Sequence, residues 1–191
     1  MLRIRDGRLI DPASGRDGVA DLWINGSHIA AIGRAPRGAG KVQEISAQGL
    51  VVCPGFVDPG SHLREPGYEH KATIASETRA AAAGGFTTVC CTPDTSPVLD
   101  NASVIEHITQ RAVVAGAAQV VCLGALTVGL NGEVLAEMHA LKAAGCVGVT
   151  NLGRAVTDTA VLKHALAYAA SAELTVFLHP EDYWLARQGN M

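Results

Sequence analysis

Parallel α/β layers are the fold class this sequence predicts, and three observations predict it. From Val51 onward, short apolar runs that read as strands recur about every 30 residues, the size of one βα unit. Helical stretches rich in alanine fill the gaps, which makes the strands parallel and covers at least one face of their sheet. Aromatic residues are only 4% of the 191, so Ala, Val, Leu and Ile must do the packing, with 21 glycines for close approach. That mixture suits helices layered on a sheet better than a sandwich built on Trp and Tyr.

The elements follow in order. Up to about residue 50 the pattern is β: Arg3-Ile4-Arg5 alternates, Gly7 turns, and Arg8-Leu9-Ile10 runs to an Asp11-Pro12 turn. Asp21-Leu22-Trp23-Ile24 meets Asn25-Gly26, a strong hairpin signal, and His28 to Ile32 returns. A loop from Ala35 to Gly40 precedes a strand over Val42 to Ile45. The next half reads Phe56-Val57-Asp58 as strand, Ile74 to Ala83 as helix, and β-branched Phe86 to Cys91 as strand. Asp100-Asn101 offers an N-cap for a helix over Ala102 to Ala115, and Val120 to Leu123 is the next strand. Val134, Leu135, Met138 and Leu141 have helical spacing, Cys146 to Val149 is a strand, Asp158 caps a helix to Ala170, and Leu174 to Leu178 closes the series. Four complete βα units and a fifth strand result. Two architectures fit: an open doubly wound sheet, or part of a (β/α)8 barrel, whose eight units alone need about 200–250 residues.

Composition excludes several function classes. With 48% hydrophobic and 17% charged residues the chain is not intrinsically disordered. A net charge of -3 without basic clusters argues against nucleic acid and against a polybasic membrane anchor. The charged start, Met1-Leu2-Arg3-Ile4-Arg5-Asp6, is not a secretory signal, and no apolar run approaches the roughly 18 residues of a membrane span. Cys53, Cys90, Cys91, Cys122 and Cys146 form no CxxC pair and read as reduced thiols, mostly buried, of a cytoplasmic protein.

In either architecture, functional side chains gather beyond the C-terminal ends of parallel strands. Those positions carry Asp58, Ser61, His62, Arg64 and Glu65; then Thr92, Asp94, Thr95 and Ser96; then Thr150, Asn151 and Arg154; then His179, Glu181 and Asp182. Histidines at two strand ends point to a metal or acid/base site, although two imidazoles fall short of the three protein ligands of a catalytic zinc. Gly84-Gly85 reads as a helix C-cap and not a phosphate loop. His70, His107, His139 and His164 have no ligand-like company.

Pro54-Gly55-Phe56-Val57-Asp58-Pro59-Gly60-Ser61-His62-Leu63-Arg64-Glu65-Pro66-Gly67 closely resembles the first-strand signature of dihydroorotases in the amidohydrolase superfamily. Ala82 to Cys91, Pro93 to Val98, Ala144 to Gly148 and His179-Pro180-Glu181-Asp182 continue the resemblance almost from end to end. It implies a (β/α)8 TIM barrel of which residues 53–191 are the N-terminal half, with residues 1–52 forming part of a small β-sandwich made from both chain ends. It also implies a chain that stops at Gln188-Gly189-Asn190-Met191, in the loop after the fifth barrel strand, within a protein of roughly 400 residues.

Active members of that family hydrolyse the cyclic amide of dihydroorotate with a metal-bound hydroxide. The resemblance places metal ligands at an H-x-H after the first barrel strand, at an acidic or carboxylated bridge after the fourth, and at a histidine after the fifth. Here Gly60 replaces the first histidine while His62 keeps the second. Leu152 stands at the bridge position, and His179 matches the fifth-strand ligand. A dication whose anionic bridge has become leucine is bound poorly, so no cofactor is expected, and zinc only if the site works. Arg64 matches the arginine that grips the dihydroorotate carboxylate, but its usual asparagine companion is Asp94, either repelling that carboxylate or serving as an Asx-turn or a partner for Arg64. These losses resemble a non-catalytic branch whose members are structural partners of the aspartate carbamoyltransferase catalytic chain in pyrimidine biosynthesis. The alternatives are an active dihydroorotase with an altered metal site, or hydrolysis of another cyclic amide such as a hydantoin.

Overall fold

Residues 1–181 and 189 are described by the computed structural model, and they divide into two compact units, Met1–Pro54 and Gly55 onward. Asp182 and most of the 188–191 end, both singled out above, lie outside the described residues. No helix among the described residues is long and apolar enough to cross a membrane.

The first unit is one sheet of five strands: β1 (Leu2–Asp11), β2 (Arg16–Asn25), β3 (His28–Ile32), β4 (Gln43–Ser46) and β5 (Val51–Val52). The order is β3-β2-β1-β4, antiparallel except that β4 and β5 both run parallel to β1, beside its first and second halves. Asn25-Gly26 makes the hairpin it signals, with Asn25 opposite His28. Gly7 does not turn the chain. The strand runs on through a bulge between Ile4 and Gly7, where Asp6 takes a φ of 59° and the pairing with β2 slips before resuming. The buried hydrophobic side chains of this unit are Leu9, Trp23 and Ala47, while Val19, Ile29 and Leu50 are exposed. Charge dresses the sheet: Arg3 reaches Asp21 at 2.6 Å and Glu44 at 2.7 Å, and its guanidinium lies 5.1 Å from the Trp23 ring centre.

The second unit alternates strand and helix: β6 (Phe56–Ser61), α1 (Ile74–Ala83), β7 (Phe86–Cys91), α2 (Ala102–Ala115), β8 (Gln119–Ala125), α3 (Met138–Ala143), β9 (Cys146–Thr150), α4 (Thr159–Ser171) and β10 (Thr175–Phe177). All five strands pair in parallel, in the order β10-β9-β8-β7-β6. A doubly wound sheet reverses its strand order at a switch point. This sheet never reverses, so it is a barrel segment of five successive staves.

Caps explain where the helices begin. Thr73 and Ser76 form a reciprocal capping box at α1, Asn101 accepts from Val104 N at α2, and Asp158 accepts from Ala160 N at α4. Buried Glu65 adds a charge at the α1 start, accepting from Ile74 N at 2.8 Å while Arg111 of α2 donates to its other oxygen at 2.9 Å. On α2, Val104, Ile105, Ile108 and Ala112 are buried at helical spacing and pack with Leu99, Met138, Leu141 and Val149 in one core. Cys91, Cys122 and Cys146 sit side by side across β7, β8 and β9, in register and in that same core.

The third helix is shorter than its apolar spacing suggests. Val134 and Leu135 are not helical: Val128 N donates to Val134 O at 2.8 Å, and Leu135 bridges to Thr127. These contacts hold the segment extended until Met138, where a six-residue helix begins without a side-chain cap.

Candidate functional site

The site is assembled at the C-terminal ends of the second unit's strands. Near the end of β6, Asp58 braces the strand where its pairing with β7 slips, accepting from Gly60 N at 2.9 Å and from the Ser61 hydroxyl at 2.6 Å. Leu63 is then buried, which leaves His62 and Arg64 on either side of an apolar anchor, with Arg64 at a φ of 64°. At the end of β7, Thr92 N donates to Ser61 O at 3.0 Å and ties the two strand ends together.

Asp94 is the hub that this tie creates. Its Oδ2 lies 2.8 Å from His62 Nδ1 and 3.3 Å from Arg64 Nη1, and its Oδ1 accepts the Thr92 hydroxyl at 2.6 Å. An ionised carboxylate only accepts, so His62 Nδ1 carries a proton and donates it to Asp94, which leaves Nε2 as the ring nitrogen outside this cluster. The hydroxyl proton of Thr92 serves the shorter contact, which leaves its oxygen facing His62 Nδ1 at 3.1 Å as a second acceptor. Burial pushes the Asp94 carboxyl up, but the Thr92 hydroxyl and the His62 imidazole outweigh burial and hold it below its usual value. Arg64 and His62 therefore share one partner. Arg64 is paired with Asp94 as the sequence allows, while the shorter bond from His62 is new.

The other candidate positions line a cavity of about 270 Å³ whose walls include Pro59, Gly60, Thr92, Leu123, Leu152, Phe177, Leu178 and His179. Its lining is largely apolar. A Cβ added at Gly60 would meet nothing nearer than Thr92 Cγ2 at 4.0 Å, so the missing side chain leaves open space. Leu152 is held at a φ of 56° with its N–H donating to Thr150 Oγ1 at 2.9 Å. Asn151, beside it, is 1% exposed and structural: its carbonyl oxygen accepts from Thr127 at 2.7 Å and its amide donates to Arg154 O at 3.2 Å. His179 points its Nε2 at Glu181, 2.9 Å away.

Zinc, the ion the resemblance implies, does not fit these donors. Among the described residues no three of His, Cys, Asp and Glu come close enough to hold an ion. His62 has only Nε2 outside its bond to Asp94, His179 Nε2 faces Glu181, and Gly60 and Leu152 supply no donor to the cavity they line. Thr92 belongs both to the Asp94 cluster and to the cavity wall. Sequence reading marks it only as a polar residue at a strand end; its spacing of two from Asp94 was the available signal.

Comparison with known proteins places this geometry in context. A family model described as dihydro-orotase-like matches residues 49–191. A "Dihydroorotase-like protein" of Pseudomonas putida is 49% identical over 188 residues, covering 98% of this chain and 44% of that protein. A dihydroorotase of Solibacter usitatus is 46% identical over 189 residues, with the same coverage of 98% and 44%. The chain thus spans less than half the length of these curated relatives. Among solved structures, an L-hydantoinase from Arthrobacter aurescens superposes with a TM-score of 0.80 at 20% identity, covering 95% of this chain and 41% of that one. A dihydroorotase superposes at 0.64 with 14% identity, covering 95% and 52%. At these identities the structural likeness speaks for the fold.

Proposed function

This chain belongs to the dihydroorotase-like family, and from that premise we propose that its protein is a non-catalytic member, a structural partner of the aspartate carbamoyltransferase catalytic chain in pyrimidine biosynthesis. One observation carries the reading: Gly60 and Leu152 stand where the resemblance expects metal ligands, and Nε2 of the retained His179 is engaged by Glu181 of this chain. A hydrolase of this kind needs a metal to polarise the amide and to generate hydroxide near neutral pH. Leucine supplies no donor and glycine supplies none, so the bridge and one imidazole are lost together.

A second reading, an active metal-dependent dihydroorotase with an altered site, draws on the His62–Asp94 bond. A carboxylate on Nδ1 is the arrangement that orients a metal-binding imidazole and raises the basicity of its Nε2. Metal analysis of the full-length protein, with a dihydroorotate hydrolysis assay, separates the two. The first reading expects substoichiometric zinc and no turnover, and stoichiometric zinc with turnover sinks it. Partnership is tested by co-purification with the carbamoyltransferase chain and measurement of the assembled mass. Separate migration, with carbamoyltransferase activity indifferent to this protein, ends the structural role.

A further inference from the structure

We propose that the cavity bounded by Gly60, Leu152 and Phe177 is a binding site for an uncharged, largely apolar ring compound, seated where the resemblance expects metal ions. The proposal rests on the non-catalytic reading of this strand-end cavity and names the class of ligand that the cavity takes instead.

The wall selects its ligand first by what it lacks. No Asp, Glu, Lys or Arg stands among the described lining residues. The polar side chains there are already engaged within the chain: Thr92 donates its hydroxyl to Asp94 at 2.6 Å, Thr150 Oγ1 accepts from Leu152 N at 2.9 Å, and His179 Nε2 meets Glu181 at 2.9 Å. A charged ligand loses hydration there without gaining a carboxylate, ammonium or guanidinium partner, and a strongly polar one competes with bonds the chain already makes. What remains is carbon, from Leu123, Leu152, Phe177 and Leu178. Burial of apolar ring surface against these side chains is the favourable contribution that the wall offers.

Two residues shape the space. Gly60 lies outside the left-handed backbone region, and an added Cβ would meet nothing nearer than Thr92 Cγ2 at 4.0 Å. Among the described residues, then, neither backbone nor crowding requires a glycine here, and what it provides is volume. Leu152 is the converse case. A left-handed turn by itself favours glycine or asparagine, yet at a φ of 56° this one carries a half-buried leucine. Strain of this kind persists where neighbouring contacts over-determine it, and it gathers at ligand clamps. Thr150 Oγ1 holds the Leu152 N–H, and Arg154 N closes the turn by donating to Asn151 O at 3.2 Å. The strained position thus presents an apolar side chain to the cavity. An apolar cavity of about 150 Å³ is enough for benzene, so the volume of about 270 Å³ here suits one ring or two fused rings.

Isothermal titration of the full-length protein tests this, with indole as the probe and 5,6-dihydrouracil as an uncharged but polar ring. Indole should bind at least about tenfold more tightly than dihydrouracil. Gly60→Leu, which fills the space, should weaken indole at least about tenfold. Leu152→Asn, which suits the turn but replaces carbon by an amide, should weaken it at least about threefold. Val113→Asp, on the exposed end of α2 and outside the cavity, should leave indole affinity within about twofold. If circular dichroism shows Gly60→Leu to be unfolded, Leu152→Asn decides. Equal affinity for the two probes overturns the proposal, as does indole binding that survives the cavity variants or is lost with Val113→Asp. Zinc content and dihydroorotate hydrolysis on the same samples keep the two claims apart. Stoichiometric zinc with turnover removes the non-catalytic reading and this inference with it, whereas a zinc-free, inactive protein that does not bind indole removes only this inference.

Discussion

Leu152 holds a backbone conformation, φ 56°, that a side chain with a Cβ rarely adopts and that asparagine tolerates best after glycine. Its side chain is only half-buried, so backbone strain outweighs packing in deciding what may replace it. Leu152→Val should therefore cost about 1–2 kcal/mol, because a β-branched residue is worst at positive φ. Leu152→Asn should cost less, although it is the less conservative change in polarity. Urea unfolding of the two variants gives the order, and a milder loss for valine refutes the strain account. At this scale the sequence was informative about identity and silent about partnership. That Gly60 and Leu152 lack donors is visible in the residue types. That His62 bonds Asp94 is not, because 32 residues separate them and only the pairing of β6 with β7 brings them together.

Among the elements, β9 and β10 approach so closely at Gly148 that an added Cβ would stand 2.7 Å from Thr175 O and 2.8 Å from Phe177 Cε2. Gly148→Ala should destabilise by about 1–3 kcal/mol, the usual cost of overpacking, and a thermal melt with an unchanged midpoint contradicts it. The small sheet has its own acid dependence. The Arg3 guanidinium and the Asp6 N–H hold the Asp21 carboxyl below its ordinary value. A carboxyl lowered on folding stabilises above its unfolded value of about 3.9 and loses that contribution as pH falls through the lower folded value. Asp21→Asn should flatten the acid limb of stability below about pH 4 and leave its shape near neutrality unchanged; an unaltered acid limb in a pH series of unfolding midpoints rules the pair out as a contributor. Elements with side-chain caps were the legible ones. For α2 the capping Asn101 and the following apolar spacing mark its bounds, whereas α3 has no such cap and its spacing extends into a segment held extended by Thr127. Gly7 misleads for a related reason, since a bulge and a turn draw on the same residue types.

For the whole molecule, the strictly sequential strand order is what distinguishes a barrel segment from an open sheet, and no local pattern encodes it; the family resemblance carried that expectation. The thiols test how well the helices cover the sheet. Burial pushes Cys122 and Cys146 up to about 12 and raises Cys90 and Cys91 as well, while Cys53 is exposed. Since the thiolate is the reactive form, brief treatment of the native protein with N-ethylmaleimide should modify Cys53 and spare the other four, by peptide mapping. Rapid modification of Cys91, which is 0% exposed, contradicts the described core. The row formed by Cys91, Cys122 and Cys146 gives that experiment a longer use. Each thiol sits on a different strand under the same layer of helices, so slow labelling counts the occasions on which that layer lifts. The row is a built-in clock for partial opening, read one stave at a time.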